Sequence, residues 1–109
     1  MLKNTIKIPV NEPLVSLEAK AYVTKALQTK WISSSGSFVT EFERKFAKYI
    51  GVKYGVSVSS GTAALHVALL SLGISEGDEV LVPAFTMASP WSSVLYVNAT
   101  PVFIDCDNE

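Results

Sequence analysis

The run "TAALHVALLSL", Thr62 to Leu72, contains no charged residue and stops at Gly73. A helix of this composition is apolar on every side, so it must be covered on nearly all of them. It therefore needs an interior to lie in. The flanking segments supply a sheet for it. "YGVSVSS" alternates as a strand does, "EVLVPA" reads as a strand bounded by "SEGD", and "PVFID" as another bounded by Pro101. Between the last two, "SPWSSVLYVNA" is long enough for a helix, with Pro90 tolerated in its first turn. The order over residues 54–105 is strand, helix, strand, helix, strand. Such alternation implies crossover connections and a parallel sheet, because parallel strands need a dozen or more residues between them.

Upstream the texture differs. In residues 1–13, Ile6, Ile8 and Val10 alternate with polar or proline positions, and Pro9 and Pro13 exclude a regular helix, so an extended arm is expected. Leu14 to Lys30 places Leu14, Leu17, Ala21, Tyr22, Val23, Ala26 and Leu27 on one broad face at helical spacing. "WISSSGS" is turn and cap chemistry, a loop. Phe38, Phe42, Phe46 and Ile50 then recur every four positions, Glu41 precedes Lys45 by four, and Gly51 is a C-terminal stop. A second amphipathic helix over about 38–50 follows. The fold class is α/β, with two N-terminal helices (14–50) before a βαβαβ unit. The 109 residues have the length of one domain.

Charge excludes several function classes. The net charge of −1 and the absence of a basic cluster leave no footprint for nucleic acid or an anionic membrane. The beginning of the chain lacks the pattern of a secretory signal, and no run reaches the ~18 apolar residues of a membrane span. The single cysteine, Cys106, allows no intrachain disulfide, so the cytoplasm is the expected compartment and a structural thiol the expected role. His66 has no second ligand three or four residues away. No metal site is expected, and a hydrogen-bonded core or interface histidine is. Asp105 and Asp107 fit turn formers as well as paired carboxylates.

In open parallel sheets ligands collect at the carboxyl ends of strands, where helices begin. Ser59, Ser60, Gly61 and Thr62 stand there. The first N–H groups of a helix have no internal partner, a glycine lets an anion approach the backbone, and hydroxyls add donors. A phosphate cradle is one reading. The other is a plain cap by Ser60 or Thr62, worth ~1 kcal/mol, with Gly61 only making the turn. The segment "VPAFTMASPW" ends the next strand, so Phe85, Thr86, Met87 and Ser89 would reach the same edge, unless this is simply a hydrophobic loop capped by Ser89. Neither a dinucleotide-binding fingerprint nor a P-loop is present.

From "WISSSG" through "VSSGTAALHVALLSLG" and "VLVPAFTMAS" to "PVFIDCD", the motifs match in order and spacing those of the DegT/DnrJ/EryC1/StrS sugar aminotransferase family, and the chain resembles the N-terminal part of its members. The resemblance implies the aspartate aminotransferase fold type I, of which these residues would form the first, incomplete part of the large cofactor-binding domain. It implies pyridoxal phosphate as cofactor, with Ser60, Gly61, Thr62 and Ala63 holding the phosphate. Met87 takes the position where members usually stack an aromatic ring on the pyridine, and a thioether can lie on a ring face too. Trp31, Ser33 and Ser34 correspond to a loop near the active site at a dimer interface, candidates for substrate contact.

The implied activity is transfer of an amino group, with glutamate the expected donor, to a nucleotide-linked keto-deoxy-sugar. The resemblance is strongest to perosamine-synthase-type members, and the parent is expected to be a homodimer. The lysine that forms the Schiff base lies in the family beyond the position of Glu109, and this chain has no lysine after Lys53. No catalytic residue is therefore expected within these 109 residues, and alone they are expected to be inactive. A sugar dehydratase of the same fold, a non-catalytic truncated chain, and a Rossmann-like domain for another phosphate are the rival readings.

Overall fold

A computed structural model describes residues 11–107; most of the expected arm lies outside the described residues. Helix α1 spans Leu17–Gln28. It begins three residues later than its apolar pattern because the Ser16 hydroxyl accepts from the Ala19 N–H and fixes the start there, with Glu18 in the first turn. Helix α2, Ser37–Ile50, ends as expected on Gly51 at φ 81, a left-handed conformation that suits glycine. The two helices meet through Tyr22. Its ring lies edge-on to Phe38 with centroids 6.0 Å apart, and its hydroxyl accepts from Lys45 Nζ at 3.2 Å. Between them runs an open groove of about 390 Å³, lined mainly by Tyr22, Val23, Ala26, Phe38 and Phe42.

Lys45 also pairs with Glu41 at 2.6 Å, one turn earlier. This hydrogen bond, first among its causes, holds the Glu41 carboxyl below the ordinary glutamate value of 4.5. A carboxyl lowered in the folded state contributes stability above its unfolded value and loses it as pH falls. Acid titration is therefore expected to loosen the α1–α2 junction only below pH 4.5. Tyrosine fluorescence against pH checks this, and Lys45→Met should remove the Glu41 share.

The α/β unit is smaller than its alternating pattern suggests. Helix α3 covers Gly61–Ser71, strand β1 Glu79–Pro83, helix α4 Ala88–Tyr96 and strand β2 Thr100–Ile104. The two strands pair in parallel, Glu79 opposite Thr100 through Pro83 opposite Ile104, with α4 as the crossover. The expected first strand over "YGVSVSS" is absent from the sheet. Those residues carry the alternation, yet no ladder forms there among the described residues, and Val56 stays 82% exposed. Alternation reports a chain suited to a ladder, and the ladder itself needs a neighbour.

The core lies under α4, where Val82 of β1, Val94, Val97 and Ala99 are buried and Leu69, Ile74 and Val80 pack on them. Gly73, at φ 78, ends α3 and lets the Ile74 N–H return to the Leu69 carbonyl at 3.1 Å. That turn delivers Ile74 to the core. Helix α3 packs on α4, and His66 meets the Tyr96 ring at 5.5 Å, which places the histidine at an interhelical contact. The cover that the uncharged helix requires is only partly present: no residue of α3 is fully buried, and Leu70 is 55% exposed. Cys106, expected as a structural thiol, is instead exposed just after β2. The Asp105 carboxylate accepts from the Cys106 N–H at 2.8 Å, and no turn is formed over 105–107.

Candidate functional site: the amino end of α3

Two local decisions build the site. Ser60 adopts an extended backbone, φ −162 and ψ 165, and its hydroxyl accepts from the Ala63 N–H at 3.2 Å. The first intrahelical bond of α3 runs from the Ala64 N–H to the Ser60 carbonyl at 3.0 Å. The N–H groups of Gly61 and Thr62 precede that bond and lie at the positive end of the helix. Capping and cradling are thus compatible here. Ser60 uses the Ala63 N–H and leaves the two before it.

Space agrees with this. A Cβ built on Gly61 would meet no atom within 4 Å, and its backbone is not in the left-handed region, so neither crowding nor turn geometry requires glycine there. Glycine there leaves the backbone of the turn open to close approach.

The downstream wall comes from α4. Thr62 Oγ1 donates to Ser89 Oγ at 2.9 Å, and the fully buried Ser93 hydroxyl donates to the Ser89 carbonyl at 2.7 Å, with the Thr62 carbonyl a further acceptor at 3.3 Å. These bonds join the opening turns of α3 and α4. Ser89 does not cap α4, as one reading of the sequence had it. Met87 is the N-cap, with no side-chain cap bond, and Ser89 sits inside the first turn facing Thr62. Ser93→Ala is expected to cost about 1 kcal/mol, because two carbonyls lose a buried donor. A urea midpoint measurement checks it.

The remaining candidates spread outward. Met87 is 79% exposed and Phe85 90%, both on the connection from β1 to α4. Trp31, Ser33 and Ser34 are exposed on the loop between α1 and α2. That loop has its own order: Gly36 is buried where a Cβ would stand 2.6 Å from the Trp31 ring, and the Gly36 N–H donates to the Ser33 carbonyl. Among the described residues, no hydrogen bond joins it to Ser60–Ala63, and the groove between α1 and α2 has none of those residues in its lining. No group of three or more histidine, cysteine or acidic residues suited to a metal occurs among the described residues. No helix there is long and apolar enough to cross a membrane.

Two contributors escaped the sequence reading. Ser93 looks like any helical serine until its helix is packed. Glu43 of α2 lies in the polar part of an amphipathic pattern, yet it accepts from Ser57, fourteen residues on, just before the turn.

A parallel strand pair with a crossover helix, beside a second helix that opens on a glycine-and-hydroxyl turn, defines an α/β architecture. The model of the DegT/DnrJ/EryC1/StrS aminotransferase family matches residues 14–109, and the chain belongs to that family. It is 50% identical over 102 residues to the GDP-perosamine synthase of Escherichia coli, covering 94% of this chain and 28% of that protein. The crystal structure of an aminotransferase from Psychrobacter cryohalolentis superposes with a TM-score of 0.80 at 36% identity, over 87% of this chain and 24% of that one. A Streptococcus pneumoniae protein described as a sugar aminotransferase, solved in its PLP form, gives 0.78 at 33% identity, over 94% and 26%. The chain spans about a quarter of the length of these relatives. Pyridoxal phosphate is the cofactor of the family, and the pneumococcal protein was also solved in its PMP form.

Proposed function

We propose that this chain supplies the N-terminal part of the fold type I cofactor domain of a pyridoxal-phosphate-dependent nucleotide-sugar aminotransferase. In this reading the enzyme moves an amino group from glutamate to a keto-deoxy-sugar carried on a nucleotide. The observation that carries it is the pair of N–H groups at Gly61 and Thr62, ahead of the first intrahelical bond, beside the open space at Gly61 and walled by the Thr62–Ser89 hydroxyl pair. A dianionic phosphate suits those donors and the helix terminus behind them.

Within the turn Ser60 to Ala63, the Gly61 and Thr62 N–H groups would hold the phosphate while Ser60 and Ala63 close the cap beside them, and Met87 would lie against the pyridine ring. When bound, pyridoxal phosphate supplies an electron sink for the charge that develops on the substrate carbon. The work of these residues is to bind and orient it. Trp31, Ser33 and Ser34 are proposed to contact the nucleotide sugar from the loop between α1 and α2. The lysine that carries the chemistry lies outside these 109 residues, which alone are inactive in this reading. A homodimer in the cytoplasm fits the uncovered apolar surface and the unpaired, exposed Cys106.

Stopped-flow absorbance on the purified natural protein tests the reading. Glutamate should shift the visible cofactor band, and a nucleotide-linked keto-deoxy-sugar should restore it. A band that glutamate leaves unchanged, or that no such sugar restores, would contradict it.

A further inference from the structure

The segment from Tyr54 to Val58 belongs to no helix or strand among the described residues, yet one of its backbone groups is firmly held. Glu43 Oε1 accepts from the Ser57 N–H at 2.8 Å and from the Ser57 hydroxyl at 2.8 Å. The same turn of α2 takes the chain two residues earlier. A Cβ on Gly55 would stand 2.9 Å from the Glu43 carbonyl oxygen and 3.5 Å from Ala47 Cβ, so only glycine lets the backbone pass there. Ala47 is 5% exposed, sealed by that passage. A glycine, an alanine and a carboxylate thus make one seam between α2 and the approach to the turn.

Two residues, Val58 and Ser59, separate Ser57 from the helix cap Ser60, a reach of at most about 10 Å. On the other side Thr62 is tied to Ser89 and its carbonyl to Ser93. The turn is therefore fixed from both flanks, by α2 before it and α4 after it. We propose that Glu43 is a positioning residue for the phosphate cradle: its carboxylate takes the place of a ladder partner on Ser57 and sets where the Gly61 and Thr62 N–H groups are presented. The inference rests on the reading of Ser60–Ala63 as that cradle. The two Ser57 donors also hold the Glu43 carboxyl below the ordinary glutamate range, the backbone N–H more than the hydroxyl, so it is ionised at neutral pH and accepts at full strength.

The test uses the apo form of the natural full-length protein, titrated separately with pyridoxal phosphate and with pyridoxal, which lacks the phosphate. Glu43→Ala should weaken the phosphate-bearing ligand about tenfold and leave pyridoxal within about twofold, with faster amide exchange across residues 57–63. Glu43→Gln keeps an oxygen that can accept from the Ser57 N–H, and should recover affinity to within about threefold of wild type. Should Glu43→Ala fail to fold, Ser57→Ala removes one bond and leaves the carboxylate in place; a loss of about threefold for pyridoxal phosphate alone is then expected.

Thr62→Ala in parallel separates the two claims. Wild-type affinity in Glu43→Ala, or in Ser57→Ala where that variant replaces it, beside a weakened Thr62→Ala would overturn the role of Glu43 and leave the cradle standing. Wild-type affinity in Thr62→Ala as well would remove both. Equal losses for both ligands would also overturn the proposal, since they would show a general structural defect.

Discussion

Gly61→Ala is expected to give an apoprotein at least as stable as wild type that binds pyridoxal phosphate about tenfold more weakly, and Gly61→Val one weaker by about a hundredfold. The two halves of this result have separate causes. A Cβ at position 61 meets open space and an ordinary backbone conformation, so folding does not oppose it. Replacing glycine at such a position lowers the entropy of the unfolded chain, worth ~0.4 to 1 kcal/mol in favour of the fold. In the proposed reading the space that the Cβ enters is the approach of an anion to the Gly61 and Thr62 N–H groups, and two added methyl groups close it further. Thermal denaturation of the apoproteins with cofactor titration reads both effects. A destabilised Gly61→Ala would mean that glycine serves the fold, and unchanged affinity in Gly61→Val would mean that the turn holds no phosphate.

A polypeptide of these 109 residues alone is expected to self-associate at micromolar concentration, to bind a hydrophobic dye, and to retain no pyridoxal phosphate through gel filtration. The accessible surface is 9858 Å², against ~5,900 Å² for a compact protein of this mass. The radius of gyration is 19.3 Å, against ~13 Å for a compact domain of this length. A surplus of that size is in the range of obligate interfaces. Much of it is apolar: Leu65, Val67, Leu70 and Leu72 on and just after α3, and Leu14, Leu17 and Val23 near α1, are all exposed. Exposed apolar surface of this extent marks an interaction site or an aggregation liability. Binding is expected to be weak because an anion at a helix terminus gains ~1 to 2 kcal/mol, whereas micromolar affinity requires ~8. Sedimentation velocity decides the first point. A monodisperse monomer that binds no dye would contradict it.

The elements legible in the sequence are those whose signals are local. Helix α2 follows from phenylalanines every four residues and a glycine stop, and β1 and β2 from short apolar runs between turn residues. At the turn "SEGD" the Asp78 carboxylate accepts the Ser75 N–H, so its composition and its hydrogen bonding agree. The start of α1 is not legible in apolar spacing, which continues through Leu14, while the cap at Ser16 decides where the helix begins. The alternation of "YGVSVSS" does not yield a ladder among the described residues because pairing is a property of two segments. Val56 and Val58 show only that one of them is ready.

The candidate site divides in the same way. Ser60, Gly61 and Thr62 are adjacent in the chain, so their role could be weighed from position alone. The Thr62–Ser89 and Glu43–Ser57 bonds span twenty-seven and fourteen residues. Nothing in the local pattern of either helix distinguishes Glu43 from the other charged residues of α2. Only the passage of Gly55 over Ala47 does.

The central claim is that the turn opening α3 holds a cofactor phosphate. The most direct measurement is the ratio of affinities for pyridoxal phosphate and pyridoxal in the natural apoprotein and in Thr62→Ala, which keeps the helix and removes one hydroxyl. The account predicts that the phosphate improves wild-type binding by about a hundredfold or more, and that Thr62→Ala reduces this ratio about tenfold without altering pyridoxal binding. Equal affinities for the two ligands in wild type, or a ratio that Thr62→Ala leaves unchanged, would contradict it.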